Sequence, residues 1–337
     1  MKGNLDLSPS PTLLERLYRT MLRIREFEEQ VADLVEKGEI KCPCHLCIGQ
    51  EATAAGVCAS LETRDYLLGA HRSHGHYLAK GGPMDQMMAE LFGRTTGCSR
   101  GRGGSMHLIA PEVGILGTVP IVSGTIPIAV GAALASSLRK DGRVTVVFFG
   151  DGAMEEGTLH ESMNLAAVKK LPVVFVCENN FYSSHLHWTE RRAEDNLLDS
   201  AKAHGMPGLS VDGNDVEAVH VAAQGAVERA RHGGGPAFLE CRTFRWRGHV
   251  GPSWDMDVGL TRKDEVQDWM KKDPIRRLKH RLVEAEGMKE EKFKSIHDQV
   301  KDEVARSVDF ARRSPWPDPS DLAKFVYAER ISSGASA

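Results

Sequence analysis

The chain reads as an α/β protein, a mainly parallel β-sheet flanked by helices with a helical C-terminal tail, and three observations carry that reading. Short apolar runs at Val144 to Phe149, Pro172 to Cys177 and Ala237 to Cys241 end in polar or turn residues, as buried parallel strands do. Helical patterns separate these runs within a glycine-rich middle from Arg64 to His249. Beyond Thr261 the sequence turns charged and glycine-poor, and Ile296, Val300, Val304 and Val308 keep a four-residue spacing. At about 100–200 residues per domain, 337 residues make one large domain or two smaller ones. No internal repeat divides the chain, so the expected organisation is an N-terminal helical arm (1–40), an α/β domain (41–260) and a helical extension (261–337) packed on the same body.

Taken in order, Thr12 and Glu15 read as a capping box that opens an amphipathic helix. Leu14, Leu17, Tyr18, Met21, Leu22 and Phe27 then recur near the helical period until about Lys37. The longest low-charge stretch, Ile126 to Ser137, contains Pro127 and Gly131 and falls short of the roughly 18–20 residues a bilayer span needs, so no membrane segment is expected. Val144 to Phe149 runs straight into Gly150-Asp151-Gly152, and Glu155 to Lys169 reads as a crossover helix. The next strand ends at Glu178-Asn179-Asn180, and the tail reads as two or three surface helices.

Composition narrows the function classes. A chain that is 41% hydrophobic and 26% charged is neither disordered nor fibrous, and a net charge of −3 gives no electrostatic reason to expect nucleic acid or an anionic membrane as partner. The N-terminal residues have neither the apolar core of a signal peptide nor the Arg-rich make-up of a transit peptide, so a cytoplasmic location is expected. Seven cysteines, an odd number, argue for reduced thiols rather than a disulfide framework.

The chemistry concentrates where two strands end. A strand, a crossover helix and a second strand in one sheet are nearly always parallel, so Asp151 and Asn180 should converge on the same sheet edge. Ligands of such sheets sit outside those strand ends, and glycines beside an aspartate let backbone N–H groups approach an anion. One carboxylate and one amide oxygen form a hard, oxygen-only set suited to Mg²⁺ or Ca²⁺ bridging to a diphosphate. A lone Gly-Asp-Gly would be read as a tight turn; the second half, with twenty-six residues separating Gly152 from Asn179, changes that reading.

The pair resembles the thiamine-diphosphate fingerprint, Gly-Asp-Gly followed by Asn-Asn one helix and one strand later. The resemblance extends through Gly150-Asp-Gly-Ala-Met-Glu-Glu-Gly-Thr-Leu-His-Glu-Ser-Met-Asn and Leu171-Pro-Val-Val-Phe-Val-Cys-Glu-Asn-Asn180 to the alpha subunits of 2-oxo acid dehydrogenases. These are the decarboxylating first components of pyruvate, branched-chain 2-oxo acid and acetoin dehydrogenase complexes. His45 with Gly49-Gln50-Glu51-Ala52, Arg72 with His74-Gly75, Gly101-Arg-Gly-Gly-Ser-Met-His107, Arg247-Gly248-His249 and Ser314-Pro-Trp-Pro-Asp-Pro319 agree, so the likeness runs from about Leu14 to Tyr327.

That resemblance implies a thiamine-diphosphate-binding fold, with Mg²⁺ held by Asp151, Asn180 and the backbone carbonyl of Tyr182. It implies that Arg72, Gly152, Ala153 and His249 contact the diphosphate beside Gly150, and that Ile121 and Val122 support the aminopyrimidine. His45 and His249 correspond to the family's active-site histidines. The implied activity is decarboxylation of a 2-oxo acid with transfer of the acyl group to lipoamide, the cofactor supplying the reaction and the protein orienting it. The activating glutamate belongs to a separate beta subunit, so the implied assembly is an α₂β₂ heterotetramer, with a lipoyl acyltransferase as a further partner. An acyloin-forming carboligase, and a subunit that binds cofactor without turnover, are the alternatives.

Other clusters read differently. Cys42, Cys44, His45 and Cys47 lie within six residues, but zinc sites pair two ligand clusters and no second follows. His71, His74 and His76 read as hydrogen-bonded structural histidines, and the Gly101 to Gly104 run follows no strand, which makes it weak as a dinucleotide signal. Several positions depart from the family pattern: His71 in place of tyrosine, Pro120 in place of glycine, and His185, His187 and Trp188 in a loop usually small and polar. Val250-Gly-Pro-Ser-Trp-Asp-Met-Asp257 replaces the family's Ser-x-Ser-Asp stretch, and the loops 183–190 and 250–257 are expected to select substrate or acceptor.

Overall fold

The computed structural model describes residues 9–256, 262–322 and 324. The first eight residues of the expected arm, Asp257 of the second altered loop, and Tyr327 with the end of the expected extension lie outside the described residues. In chain order the elements are α1 (Pro11–Glu36), α2 (Glu51–Cys58), β1 (Tyr66–Gly69), α3 (His74–Ala79), α4 (Met84–Leu91), β2 (Ile115–Thr118), α5 (Thr125–Arg139) and β3 (Thr145–Gly150). There follow α6 (Gly157–Lys169), β4 (Val173–Asn179), a short hairpin of β5 (Tyr182–Ser183) and β6 (Leu186–His187), α7 (Leu197–Ala203), β7 (Gly208–Asp212), α8 (Val216–Arg231) and β8 (Ala237–Arg242). Helices α9 (Lys263–Met270), α10 (Pro274–Glu286) and α11 (Glu290–Arg313) complete the described chain.

Six strands form one parallel sheet in the order β2-β1-β3-β4-β8-β7. Strands β3, β4 and β8 are the apolar runs of the sequence, and their alternation sends side chains to two faces. Val146 and Phe148 of β3 pack with Val57 of α2 and Val219 and Val227 of α8. Val147 and Phe149 pack on the other face with Ile126 and Ala133 of α5 and Met163 of α6. Phe148 and Phe175 are fully buried, and removing either ring would cost about 3–5 kcal/mol. β1, β2 and the edge strand β7 carry no such run: two are four residues long, and β7 is half-solvated along its length.

Two boundaries differ from the sequence reading. Helix α1 is capped by Ser10, whose hydroxyl accepts from Leu13 N–H at 3.3 Å with Pro11 at the first helical position. The Thr12–Glu15 capping box therefore does not form, because the helix has already begun upstream of it. The crossover helix starts at Gly157 rather than Glu155, since Asp151–Glu155 winds as a 3₁₀ turn and Glu156 is extended.

The regularly spaced tail residues, joined by Phe293, form the buried face of α11. That helix lies against α1 and α4 and is tied to α1 by Arg23, which donates to Glu303 at 2.6 and 2.9 Å. The Ser314–Pro319 block closes onto the segment after α4, where Thr95 N–H donates to the Pro315 carbonyl at 3.1 Å and the Arg94 guanidinium lies 3.7 Å from the Trp316 ring centre. Among the described residues no helix is long and apolar enough to cross a membrane.

Candidate active site

Because all six strands run the same way, their carboxyl ends share one edge, and the chain reverses its direction of travel across the sheet between β1 and β3. Crevices at such a switch point are where open α/β sheets bind ligands. β1 leads to His71 and Arg72, β3 to Asp151, β4 to Asn180, and β8 to Arg245 and His249. These residues line one cavity of about 180 Å³ with Gly150, Gly152, Ala153, Tyr182 and Val122. Ile121 is not part of that lining and stands 68% exposed beside Val122. His45 sits one layer behind, its ring 4.9 Å from that of His249.

The register of β3 with β4 pairs Gly150 with Glu178, which sets Asp151 beside the start of the Asn179-Asn180 turn. The two asparagines part company there. Asn179 turns away to donate to Glu240 at 2.6 Å, while Asn180 faces the cavity and donates to Gln50 Oε1 at 3.3 Å. Around Gly150 an added Cβ would meet nothing within 4 Å, so a ligand can approach the backbone there. At Gly152 a Cβ would fall 2.5 Å from Ser183 Oγ and 3.0 Å from its Cβ, so a side chain there would push the hairpin's serine aside.

Two buried arginines shape the field. Arg72 donates to the carbonyls of Leu46 and, at 3.2 Å, of His249. Arg245 donates to the Ser184 carbonyl at 2.5 Å and pairs with Asp255 at 3.1 Å, while burial and then the nearby Arg72 charge push it down to about 10. Burial, followed by Arg72, pushes His45 down to about 4, His249 to about 3 and His71 to about 2. All three imidazoles are therefore neutral at pH 7. His45 Nδ1 donates to the His249 carbonyl at 2.6 Å, which leaves its Nε2 with the lone pair, and His249 Nδ1 is buried without a hydrogen-bond partner.

The ring nitrogens of His45, His71 and His249 lie within 4.8 Å of one another, but the arginine charges that keep these rings neutral also oppose a cation among them. No cysteine belongs to that cluster. His71 thus lines the cavity, its ring 4.7 Å from that of His45 and 5.4 Å from that of His249. His74 is structural: burial alone would lower it, but Glu28 at 2.7 Å raises it, and its other nitrogen meets Ser105 Oγ at 2.8 Å. The Gly101 to Gly104 run is an anion nest already filled from within. Glu90 accepts the N–H groups of Ser99, Gly101, Gly103 and Gly104 at 2.7–3.1 Å.

The hairpin β5–β6 and the segment 243–256 cover the cavity and are joined to each other. Asp255 bridges Arg245 and Arg262, the latter at 2.6 Å, and the Arg262 guanidinium lies 4.3 Å from the Tyr182 ring centre. Tyr182 donates its hydroxyl to Glu265 at 2.7 Å; burial and that bond raise it to about 12. Asp151, 1% exposed, is raised by burial and pulled back by Arg191, which pairs with both Asp151 and Glu155. Sequence reasoning passed over Gln50, Arg245, Asp255 and Arg191 as site residues. Gln50 and Arg245 lay inside or beside quoted motif blocks, whereas Arg191 carries no signal except the Arg191-Arg192 doublet.

A sheet edge that gathers polar groups from successive parallel strands into one crevice is the working end of an α/β enzyme. Residues 19–320 match the family model described as dehydrogenase E1 component, and the chain belongs to that family. It is 42% identical over 318 residues to the alpha subunit of acetoin:2,6-dichlorophenolindophenol oxidoreductase of Bacillus subtilis (strain 168), covering 94% of each chain. It is 39% identical over 320 residues to the pyruvate dehydrogenase E1 component subunit alpha of Porphyra purpurea, covering 93% of this chain and 92% of that one. The corresponding subunit of Rhizobium meliloti (strain 1021) is 41% identical over 308 residues, 91% of this chain and 88% of its own. The family match agrees with the resemblance drawn from the motifs.

Proposed function

We propose that this chain is the alpha subunit of a thiamine-diphosphate-dependent 2-oxo acid dehydrogenase that works with a beta subunit and passes the acyl group to lipoamide. One observation carries the proposal: Asp151 and Asn180, at adjacent strand ends, face the same cavity as Arg72, Gly152 and His249. The residues fit the cofactor's charged end. Arg72 and the N–H groups beside Gly152 suit a diphosphate, and Asp151, Asn180 and the Tyr182 carbonyl suit a small hard cation such as Mg²⁺. When bound, the cofactor supplies the electron sink for loss of CO₂.

The chain's own part is orientation and proton handling. Neutral His45 and His249 can donate a hydrogen bond to a substrate carboxylate or give and take a proton at the acceptor. The loops 183–190 and 250–257 are assigned the selection of substrate and acceptor, and the ties through Arg245 and Asp255 support a joint role. The test uses the enzyme assembled with its beta subunit. Magnesium-dependent thiamine diphosphate binding and 2-oxo-acid-dependent acylation of a lipoyl domain are expected; cofactor binding indifferent to magnesium, or no acylation with any 2-oxo acid, would overturn it.

A further inference from the structure

Asp151 is occupied. Arg191 pairs with it and with Glu155, and its Nε donates to the Leu186 carbonyl at 3.2 Å, so the guanidinium is gripped on three sides with 7% of its side chain exposed. Arg192 stands beside it, Nη2 4.0 Å from Asp151 and Nε 3.6 Å from Glu155, with all three guanidinium nitrogens buried and making no hydrogen bond. Both arginines follow the hairpin on a single 3₁₀ turn, Trp188–Glu190. The hairpin itself is strained: Phe181 at φ +69° and Ser184 at φ +55° are non-glycine residues in the left-handed region. Such conformations persist only where surrounding contacts enforce them, and the ion pairs to Asp151 and Glu155 are such contacts.

We propose that Arg191 is the resident cation of this site, and that loading the cofactor exchanges its guanidinium for a divalent ion. The proposal rests on the reading of Asp151 as a cation ligand given above. A carboxylate this deeply buried is costly without a positive partner, and the chain supplies its own until the metal arrives. Charge balance adds a condition. Asp151 and Glu155 against Arg191 and Arg192 sum to zero, so a divalent ion that displaces Arg191 and enters alone leaves one excess positive charge. An ion arriving with a diphosphate does not. Exchange also moves the hairpin, because Arg191 cannot leave Asp151 while Leu186 and Glu155 hold it in place.

The experiment uses the assembled enzyme, with Mn²⁺ and thiamine diphosphate as probes, free Mn²⁺ read by electron paramagnetic resonance, and hydrogen exchange of residues 181–192 read by mass spectrometry. If the paired form outnumbers the open one by about ten to one, Arg191→Gln tightens Mn²⁺ binding in the presence of the cofactor by about tenfold. The same variant raises hairpin exchange severalfold in metal-free protein, while Arg191→Lys, which keeps the charge, stays near wild type in both. Unchanged or weaker Mn²⁺ binding in Arg191→Gln, or unchanged hairpin exchange, would overturn the proposal. Asp151→Asn separates the two readings: wild-type Mn²⁺ affinity in that variant removes the cation-ligand assignment itself. Lost affinity there, with no tightening in Arg191→Gln, removes only the exchange.

Discussion

Asp151 and Arg245 both reach the cavity as buried charges, yet they are held by different means. Asp151 extends a strand whose preceding residues, Thr145 to Phe149, are all buried and locked in register with β4. Arg245 follows β8 into an irregular segment, and its position depends on one carboxylate, Asp255, and one carbonyl, that of Ser184. The floor of the site is therefore fixed by backbone ladders that almost any apolar sequence would supply. The cover is fixed by charges that single substitutions remove. A ligand can rearrange the second without disturbing the first, as lids over active sites commonly do.

The largest expected effect falls where floor and cover meet, at the histidines. Alanine at His45 or His249 should lower turnover by about 10²–10⁴-fold, up to about 5.5 kcal/mol of barrier, with little change in thermal unfolding. Because burial and Arg72 lower both rings, to about 4 and about 3, the neutral form persists as pH falls until those values are approached. The acid limb of kcat that they govern should lie below pH 5. A break near 6.5 that vanishes in the variants would show that they sit in a wetter, less positive site.

Next comes the cover's own anchor. Asp255→Ala strips the shared carboxylate from two arginines that are 2% and 3% exposed, and should cost about 3 kcal/mol in denaturant unfolding. Cofactor affinity should hold within a few-fold if the floor is independent; a loss as large as that of a floor variant would erase the distinction. For the floor, Asp151→Asn should weaken magnesium-dependent cofactor binding on the order of 100-fold, about 2.8 kcal/mol, measured calorimetrically. The fold should survive, since Arg191 keeps Glu155. The smallest effect is in the hairpin turn, where Ser184→Gly relieves a left-handed serine and should add about 0.5 kcal/mol of stability. A loss there would mean that the turn is held by more than its ion pairs.

The same division decides what the sequence made legible. Asp151 and Asn180 follow from strand ends and motif spacing, because parallel strands force their carboxyl ends together whatever surrounds them, whereas Arg72 comes from the family resemblance alone. Strands β3, β4 and β8 announce themselves as apolar runs because both of their faces are covered. β7 does not, since an edge strand with Leu209 52% exposed needs no continuous hydrophobic run. The ties of the cover were invisible for a different reason. Arg245 to Asp255 and Arg191 to Asp151 are side-chain pairings across 10 and 40 positions, made from loop residues at one end or both, which no periodicity encodes. His71 reads in the sequence as a structural histidine, because only the meeting of the segments after β1 and β8, which sets its ring 5.4 Å from that of His249, reveals which way it faces.

Glu90 illustrates another use of a buried ion. Its carboxylate sits inside a ring of four backbone amides from Ser99 to Gly104, in a loop whose glycines at positive φ would suit a phosphate equally well. A ligand carried on the same chain competes at millimolar effective concentration or above and never diffuses away. Free anions in the cell are therefore shut out of that loop. The amides that could have formed a second phosphate-binding site are committed to fixing the loop against the end of α4, next to the point where the Ser314–Pro319 block docks.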